Sequence, residues 1–320
     1  MKITLDITRL VQEGKLTPAE AEKLTALASH ETGSLGINIL VSFGVVAVAV
    51  GAVALVPTPL TAMLLGVAMF GIGCAFVLQR IEQWSLLGQI TLIIGALMFC
   101  GGVIAFGEGS LASMLIVTAA LAGAAIVARS SLLSVLAVLA ASGCLGARTG
   151  YSHAVYSLAI FEPTLTIVLF AALALAAYVG SKRLPADYER VALAAARTSI
   201  FLVNFGFWIG SLWGDPLLLM RRMNGYTPAR FDDVIVPPLV FIIGWAVVLV
   251  AAGVWATRAN RRWLVNVVAV FGAIHFYTQW FERLGASPLS VLLGGVLLLV
   301  IALALWRFNR AGAAPAGDAR

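Results

Sequence analysis

Three polar side chains, two of them ionisable, stand at regular spacing in an apolar stretch of the chain. His275, Gln279 and Glu282 occupy positions i, i+4 and i+7, which places all three on one face of a helix. An ionisable group inside a membrane span is costly, so its presence suggests a function. Because an imidazole changes charge near neutral pH, His275 could accept or pass a proton and is the best single candidate.

A second polar stripe runs along an earlier apolar stretch at strict seven-residue spacing. Its members are Arg190, Arg197, Asn204 and Ser211. If this helix faced the helix of His275, the two stripes would form one polar site inside the membrane. The candidate intramembrane polar site therefore contains Arg197, Asn204, His275, Gln279 and Glu282.

The same side chains also have a purely structural interpretation. Arg197 lies near one end of its apolar stretch, where its long side chain can reach water. Glu282 adjoins Arg283 near the other membrane surface and would be solvated there. Asn204 can bond a neighbouring helix, an interaction worth about 0.6 kcal/mol in a bilayer. A transport or catalytic site and ordinary helix contacts both stay open.

No residue pattern typical of an enzyme or a metal site accompanies these side chains. The chain has no H-E-x-x-H, no G-x-S-x-G and no phosphate-binding glycine loop. Cys74, Cys100 and Cys144 fall inside apolar stretches at no metal or redox spacing, so we interpret them as small buried hydrophobic residues. We therefore predict a non-enzymatic protein with no catalytic residue, no metal and no cofactor.

The composition places these residues in a membrane protein. Charged residues form 11% of the 320 residues and apolar residues form 61%, with a mean hydropathy of +0.99. A soluble domain has roughly 25% charged residues. Since lipid offers backbone groups no hydrogen-bond partner, apolar runs of about 20 residues are predicted to be transmembrane helices. The expected fold class is all-α, a polytopic helix bundle of about ten spans, with a range of eight to ten.

The apolar runs give the positions of the spans. They are predicted at 35–56, 59–78, 86–106, 111–128, 132–147, 163–180, 198–213, 234–256, 263–281 and 288–306. The fifth run is short, and the seventh is short and polar at its start, so whether these two cross fully stays open. The long loops 148–162 and 214–233 are predicted to hold partial interfacial helices, because tyrosines such as Tyr151 and Tyr156 are common at the membrane interface.

Small residues recur at seven-residue spacing in two of the spans. Gly88, Gly95 and Gly102 form a stripe in the third span, and Gly44 and Gly51 form one in the first. Because a glycine stripe lets two helix backbones approach closely, both stripes predict tight helix packing.

Basic residues between the spans predict the orientation. With the N-terminus inside, sixteen of the 21 lysines and arginines fall in inside segments and five in outside segments. Cytoplasmic loops carry such an excess of basic residues. We therefore predict a multi-pass protein of the bacterial cytoplasmic (inner) membrane, with both termini in the cytoplasm. Because the basic residues are scattered between apolar runs, nucleic acid is not an expected partner.

Residues 1–34 differ from the rest and predict a small cytosolic helical hairpin. Thr17 is expected to cap its second helix, with Pro18 as the first helical residue and Glu20 completing a capping box. Because a hairpin of this size cannot bury a sufficient hydrophobic core alone, its apolar side is expected to dock on another surface. The predicted partner-docking residues are Ile7, Leu10, Val11, Leu24 and Leu27. Beyond the bilayer, the candidate partners are a protein bound by this hairpin and a second copy of the chain.

The predicted domains follow from these elements. Residues 1–34 form the hairpin, 35–308 form the transmembrane bundle, and 309–320 form a disordered tail.

Both ends of the chain resemble a bacterial membrane protein family catalogued as domain of unknown function 2157. The stretch Ile7–Leu27, ITRLVQEGKLTPAEAEKLTAL, resembles that family's N-terminal hairpin. The stretch Arg262–Phe308, RWLVNVVAVFGAIHFYTQWFERLGASPLSVLLGGVLLLVIALALWRF, is similar to its last two spans. The polar loop 214–233 has no counterpart in the resemblance. Since the family has no established activity, the resemblance implies an architecture and no chemistry.

Three functions are compatible with this sequence. The first is a membrane scaffold or sensor whose hairpin docks a partner. The second is a transporter of a small solute or lipid that uses the polar residues of spans seven and nine. The third is an intramembrane enzyme acting on lipid. If Arg197, Asn204, His275 and Gln279 converge on one cavity, transport is favoured, whereas separate helix contacts favour the scaffold.

Overall fold

The computed structural model of the protein describes residues 10–11, 14–79, 84–152, 155–218, 234–285 and 287–311. Ten long α-helices and one β-hairpin occupy this part of the chain. The helices, α1 to α10 in order, are Pro18–Leu55, Pro59–Leu78, Ser85–Phe106, Leu111–Ala128, Ser131–Cys144, Pro163–Ser181, Ala186–Trp213, Pro238–Arg258, Arg262–Leu284 and Pro288–Ala311. Every predicted span overlaps one of them, so the helical architecture is confirmed.

Seven of the described helices are long and apolar enough to cross a membrane. They are α2, α4, α6, α7 and α8 over their full lengths, Leu86–Phe106 of α3 and Arg262–Glu282 of α9. Shorter apolar segments occur at Phe43–Leu55, Ser131–Cys144 and Pro288–Val300. Large apolar side chains such as Leu64 and Val250 are 64% and 67% exposed. A surface of this kind suits lipid better than water, which fits a membrane protein. The total of about ten spans stays a prediction.

The first helix is much longer than predicted. Thr17 caps it and Pro18 begins it, and the Thr17–Glu20 capping box is formed as expected. The helix then continues to Leu55, through the predicted domain boundary between residues 34 and 35. Gly33 and Gly36 interrupt the apolar pattern, but each costs only about 1 kcal/mol in a helix, and no proline breaks the hydrogen-bond ladder before Pro57.

The chain forms two compact units. The first contains Met1–Ala141 and Leu184–Ala194, and the second contains Ser142–Arg183 and Ala195–Arg320. The first turns of α7 therefore belong to the first unit and the remainder to the second.

Glycines hold α2 against α3 in the first unit. A Cβ atom added at Gly66 would lie 2.8 Å from the Gly95 carbonyl oxygen, and one added at Gly95 would lie 2.3 Å from the Phe70 nitrogen. Gly102 is equally restricted, since its Cβ would lie 2.7 Å from the Pro59 carbonyl oxygen. Only glycine lets the two backbones touch in this way. The predicted stripe in the third span is thus confirmed.

The other predicted glycine stripe is not used in this way. A Cβ atom added at Gly44 or Gly51 of α1 would meet no atom within 4 Å in the described structure. The expectation of tight packing at these two glycines was wrong, because spacing along one helix does not show which neighbour faces it.

Apolar residues of α3, α4 and α5 form the core of the first unit. Leu92 and Leu133 are fully buried in it, and Leu121 and Ala125 pack beside them. Val191, in the first turns of α7, joins the same core, and its carbonyl oxygen accepts a hydrogen bond from the Ser134 hydroxyl at 2.9 Å.

A β-hairpin stands where partial interfacial helices were predicted. Strands β1, Arg148–Ser152, and β2, Val155–Ala159, pair antiparallel from Arg148 opposite Ala159 to Ser152 opposite Val155. Threonine, tyrosine and valine favour strands, and they outweigh the interfacial preference of the tyrosines alone. The helix prediction for this loop was therefore wrong. The loop 214–233 lies mostly outside the described residues.

Two predicted ends also shift. The seventh span was expected to begin near residue 198, but α7 begins at Ala186, just after Pro185, with Asp187 and Glu189 in its first turn. Acidic residues favour a helix N-terminus because the helix dipole is positive there. The helix α10 runs to Ala311, past the predicted start of the tail at 309, and the rest of the tail lies outside the described residues.

Candidate functional site

A buried contact between Asn204 and Trp245 lies at the centre of the second unit. Trp245 is fully buried in α8, and its indole N–H donates to Asn204 Oδ1 on α7 at 2.9 Å. Asn204 Nδ2 donates in turn to the Ile200 carbonyl oxygen at 2.8 Å. Both ends of the amide are therefore engaged, one within its own helix and one between helices.

His275 of α9 contacts the same indole. The rings of Trp245 and His275 have centroids 4.8 Å apart and are inclined at 70°. Phe207 stacks nearly parallel to Trp245 at 6.5 Å, and Phe271 lies at the same centroid distance. His275 Nδ1 is buried and has no hydrogen-bond partner among the described residues. Two of the predicted polar residues thus meet, but they meet on an indole within a group of aromatic rings.

Gln279 and its neighbours continue this helix contact by one turn. The indole N–H of Trp208 donates to Thr278 Oγ1 at 3.0 Å, which gives a second polar link between α7 and α9. Gln279 Nε2 is buried without a partner among the described residues. The hydroxyl of Ser211, another member of the predicted stripe, bonds the Trp208 carbonyl oxygen at 2.7 Å.

Arg197 and Glu282 lie away from this contact. The Arg197 guanidinium stands 5.2 Å from the centre of the Trp263 ring, at the beginning of α9. Trp263 precedes His275 by twelve residues, or about 18 Å of helix. Glu282 is exposed near the other end of α9. The five predicted residues are therefore spread along α7 and α9 and do not converge as a set.

The start of the predicted Arg190–Ser211 stripe is also explained by local contacts. Arg190 donates to Asp187 Oδ1 at 2.7 Å, and Arg129 donates to Asp187 Oδ2 at 2.9 Å. Arg129 ends α4 in a left-handed conformation with φ of 50°, and its guanidinium lies 5.4 Å from the Tyr188 ring centre. These charges are exposed, so Arg190 belongs to a surface ion pair.

Two residues that sequence reasoning missed hold the second unit together. One is Trp245, and a tryptophan within a span is itself a signal, because its buried N–H needs a partner. The other is Asp215, which is fully buried although it lies in the loop predicted at 214–233.

Asp215 ties three segments together. Its carboxylate accepts hydrogen bonds from the Thr164 N–H at the start of α6 and from the Leu217 N–H, both at 2.7 Å. Its backbone pairs with Val236, just before α8. A carboxylate at a helix N-terminus is favoured by the helix dipole. The local sequence does not indicate that Asp215 pairs with Thr164, because these two residues lie 51 positions apart.

The described residues contain no group of three or more histidine, cysteine, aspartate or glutamate side chains that could hold a metal ion. Two cavities, of about 340 and 500 Å³, lie in the first unit and have apolar walls. Phe70, Phe99 and Cys100 line the smaller, and Gly44, Met69 and Phe76 line the larger. Neither cavity contains a residue of the predicted polar site.

The predicted docking hairpin is described only in part. Leu10 and Val11 are helical and partly buried, and the Leu10 carbonyl oxygen accepts the Lys15 N–H at 2.9 Å. Ile7 lies outside the described residues, as do the side chains of Leu24 and Leu27. The hairpin therefore stays a prediction.

Comparison with known proteins gave no match: no family model, no curated protein and no solved structure is significantly similar to this chain.

Proposed function

We propose that this protein is a non-enzymatic membrane scaffold or sensor whose N-terminal segment docks a partner. The observation that carries the proposal is the continuity of α1, from the Thr17 cap to Leu55. At 1.5 Å per residue its 38 residues extend about 57 Å, whereas the hydrocarbon of a bilayer is about 30 Å thick. Roughly half of α1 therefore extends beyond the lipid.

A continuous helix is a stiff connection between the two environments. A flexible linker would absorb a movement of the N-terminal segment, whereas an unbroken hydrogen-bond ladder passes it on to the apolar part of α1. We infer that a partner docked on the N-terminal segment changes the tilt or the rotation of the first span. In a scaffold, the same rod would hold the partner at a fixed height above the membrane.

The polar residues support this choice over transport. Asn204 bonds Trp245, Arg197 stacks on Trp263, and Glu282 is exposed. Separate contacts of this kind stabilise helix packing and do not form a continuous polar path.

The proposal is tested by breaking α1 where it leaves the membrane. We expect a Gly-Gly-Ser-Gly insertion after Ser34 to abolish the signal or phenotype that depends on the protein, while leaving partner binding intact. An insertion of four alanines at the same site is the matched control for length, since alanine keeps the helix. Deletion of residues 1–30 should remove the partner itself, measured by co-purification. If the deletion changes neither the co-purifying proteins nor the phenotype, the proposal is wrong.

Transport of a small solute or lipid is a second candidate function, and one observation favours it. His275 Nδ1 and Gln279 Nε2 lie one turn apart on α9, buried and without partners among the described residues. Unsatisfied buried polar atoms are rare and require an explanation. Flux into proteoliposomes tests this candidate with His275→Ala and, as a control, Thr257→Ala, whose hydroxyl bonds only within its own helix. Equal flux in all three proteins would exclude His275 from any transport mechanism.

We further propose that the protein belongs to the bacterial inner membrane with both termini in the cytoplasm. The support is the distribution of basic residues between the helices, which is typical of that orientation. Membership of the family catalogued as domain of unknown function 2157 likewise stays a proposal, supported by the resemblance of Ile7–Leu27 to that family's N-terminal hairpin and of Arg262–Phe308 to its last two spans.

A further inference from the structure

The larger of the two cavities, of about 500 Å³, lies between α1 and the α2–α3 pair of the first unit. Its lining residues extend from Val41 to Ala52 on α1 and from Leu65 to Phe76 on α2. Each of these walls covers about 17 Å of helix at 1.5 Å per residue. One leaflet contributes about half of the roughly 30 Å of bilayer hydrocarbon. The cavity is therefore long enough to hold one apolar chain extended along the helices.

The absence of a side chain at Gly44 leaves room in the α1 wall of this cavity. Gly44 is a lining residue, and a Cβ atom added there would meet no atom within 4 Å. Gly51 also has open space at its Cβ position, but it is not among the lining residues. The glycine stripe of α1, which packs against no described helix, thus borders the cavity at one of its two members.

Thr91 of α3 brings a hydroxyl group into a wall that is otherwise apolar. The residue is only 5% exposed and lines the cavity. The structure describes no hydrogen bond of the Thr91 hydroxyl, whereas the Thr118 hydroxyl of α4 donates to the Met114 carbonyl oxygen at 2.8 Å. A buried polar group without a partner is costly. A ligand that accepts a hydrogen bond from Thr91 would remove this cost.

An aromatic ring lies close to this hydroxyl. A Cβ atom added at Gly88 of α3 would lie 2.7 Å from the Phe76 Cβ atom, and Thr91 is three residues further along the same helix. Residues three apart are neighbours on a helix surface. Phe76 and Thr91 therefore lie near one another in the cavity wall, and together they suit a planar group that both stacks and accepts a hydrogen bond.

The cavity also restricts the charge of its ligand. The described residues that line it include no charged side chain. Thr91 lies five residues, or about 8 Å, inside the candidate span Leu86–Phe106. A charged group would be costly at that depth, so the charged headgroup of a phospholipid does not fit beside Thr91. The ligand is expected to be neutral, with a carbonyl oxygen on a planar ring and one long apolar chain.

We propose that the cavity between α1, α2 and α3 binds an isoprenoid quinone, which combines these three properties. The Thr91 hydroxyl donates to a ring carbonyl oxygen, the ring lies against Phe76, and the chain extends between α1 and α2. The residues of this site are separate from the N-terminal segment and from the polar residues around Trp245, so quinone binding requires neither a docked partner nor transport.

Two glycine variants of the full-length protein, delipidated in a neutral detergent, test the cavity. Equilibrium binding of tritium-labelled decylubiquinone, a quinone with one saturated chain, is measured. Gly44→Leu puts a side chain into the cavity and should weaken binding at least about tenfold, because the leucine takes up space that the quinone needs. Gly51→Leu makes the same change outside the cavity wall and should leave the affinity unchanged. Equal affinities of the two variants would overturn the proposal.

Two threonine variants test the hydrogen bond. Thr91→Val removes the hydroxyl, keeps the shape of the side chain and should weaken decylubiquinone binding about fivefold. Thr91→Ser keeps the hydroxyl and should bind with the affinity of the unmodified protein. If the valine and serine variants bind equally well, Thr91 does not recognise the carbonyl oxygen and the assignment to a quinone is wrong.

Competition distinguishes a quinone from an ordinary lipid chain. Unlabelled decylubiquinone should displace the label, whereas hexadecane and phosphatidylethanolamine at the same concentration should not. Displacement by either of these as effective as by the quinone itself would show that the cavity takes any apolar chain, which contradicts the proposal. If Gly44→Leu does not fold, the threonine variants and this competition decide the question.

Discussion

Asn204 is a polar side chain in the middle of an apolar helix, and its two hydrogen bonds explain why it is tolerated there. Lipid would leave the amide unsatisfied, but Trp245 Nε1 and the Ile200 carbonyl oxygen engage both of its ends. The same bond satisfies the fully buried Trp245 indole. The hydrogen bond between Asn204 and Trp245 therefore links α7 to α8. It also fixes the position of the Trp245 ring, which His275 contacts.

We predict that Asn204 and Trp245 are energetically coupled. In a double-mutant cycle of Asn204→Leu and Trp245→Phe, the coupling free energy should be about 0.6 kcal/mol and no more than about 1.7 kcal/mol, the range of hydrogen bonds between membrane helices. The measurement is reversible unfolding in mixed detergent. Ser199→Ala serves as the control partner for Trp245→Phe, because the bond that the structure describes for the Ser199 hydroxyl goes to the Ala195 carbonyl oxygen of its own helix. Simple additivity of both pairs would contradict the prediction.

Asp215 should matter much more for stability than Glu282, the exposed member of the predicted polar site. Asp215→Ala leaves the N–H groups of Thr164 and Leu217, both in partly buried residues, without their acceptor, at up to about 3 kcal/mol for each group. Thermal unfolding in detergent should therefore show a large loss of stability. Glu282→Ala, at an exposed position, should change the unfolding free energy by less than about 0.5 kcal/mol. Equal melting temperatures for the two variants would refute this role of Asp215.

At the scale of elements, helix packing in the first unit depends on the absence of side chains. The backbones of α2 and α3 touch at Gly66 and Gly95, and nothing flexible stands between them. Aromatic rings occupy the corresponding place in the second unit, where Phe207, Trp245 and Phe271 fill the space between α7, α8 and α9. Helices therefore pack through glycines in the first unit and through large aromatic side chains in the second.

Glycines 95 and 101 of α3 provide a matched test of this packing. We predict that Gly95→Ala destabilises the protein by about 1–3 kcal/mol, because the added carbon would lie 2.3 Å from the Phe70 nitrogen and would push α2 away. At Gly101 the added carbon meets no atom within 4 Å, so Gly101→Ala should be neutral or stabilising by up to about 1 kcal/mol. Unfolding in detergent measures both. A neutral Gly95→Ala variant would show that the contact is not needed.

The start of α1 should respond to pH through its capping box. The pKa of Glu20 lies below its usual value because the backbone N–H and the hydroxyl of Thr17 donate to the carboxylate. A lowered pKa means that the ionised form stabilises the cap above the usual carboxyl pKa and that this stabilisation is lost as pH falls through the lowered value. The protection factors of the amides at the start of α1, which correct for the slower intrinsic exchange at low pH, should therefore fall in acid. Glu20→Gln keeps the capping geometry without titrating, so its exchange should lack this acid-dependent step.

The elements also show where sequence reasoning succeeds. Lipid demands long apolar helices, and local signals such as Thr58 before Pro59 or Ser110 before Leu111 mark their starts, so the helix positions were predictable. The continuity of α1 was not predicted, because two glycines and a polar stretch look like the end of a helix in the sequence. The unbroken series of backbone hydrogen bonds outweighs the small cost of those two glycines. The β-hairpin was missed for a similar reason: tyrosines were interpreted by their interfacial preference rather than by strand pairing.

For the whole molecule, the property to determine next is the orientation of the chain in the membrane. If the distribution of basic residues is a true guide, reporter fusions at Gly107, after α3, and at Arg261, between α8 and α9, should lie on opposite sides of the membrane. Alkaline phosphatase and green fluorescent protein fusions measure this directly. Both reporters on one side of the membrane would refute the predicted topology.

The predicted polar site shows what the sequence could not provide. Regular spacing placed Arg197, Asn204 and Ser211 on one helix face, but it gave no information on which neighbour faces each turn. In the structure each of them has its own contact: Trp263, Trp245 and the Trp208 carbonyl oxygen. Contacts between residues tens of positions apart depend on how the helices associate, and one sequence carries no record of that.

The touching glycines of α2 and α3 also bear on how the protein is made. The two helices are neighbours in the chain, so they can associate as soon as both have left the ribosome, before any later helix exists. Local contacts of this kind form quickly, and the closed helix pair then offers a finished surface on which α4 and α5 assemble. A bulky substitution at Gly66 or Gly95 would therefore act early, and its expected outcome is a nascent chain degraded during biogenesis rather than a mature protein of lowered stability.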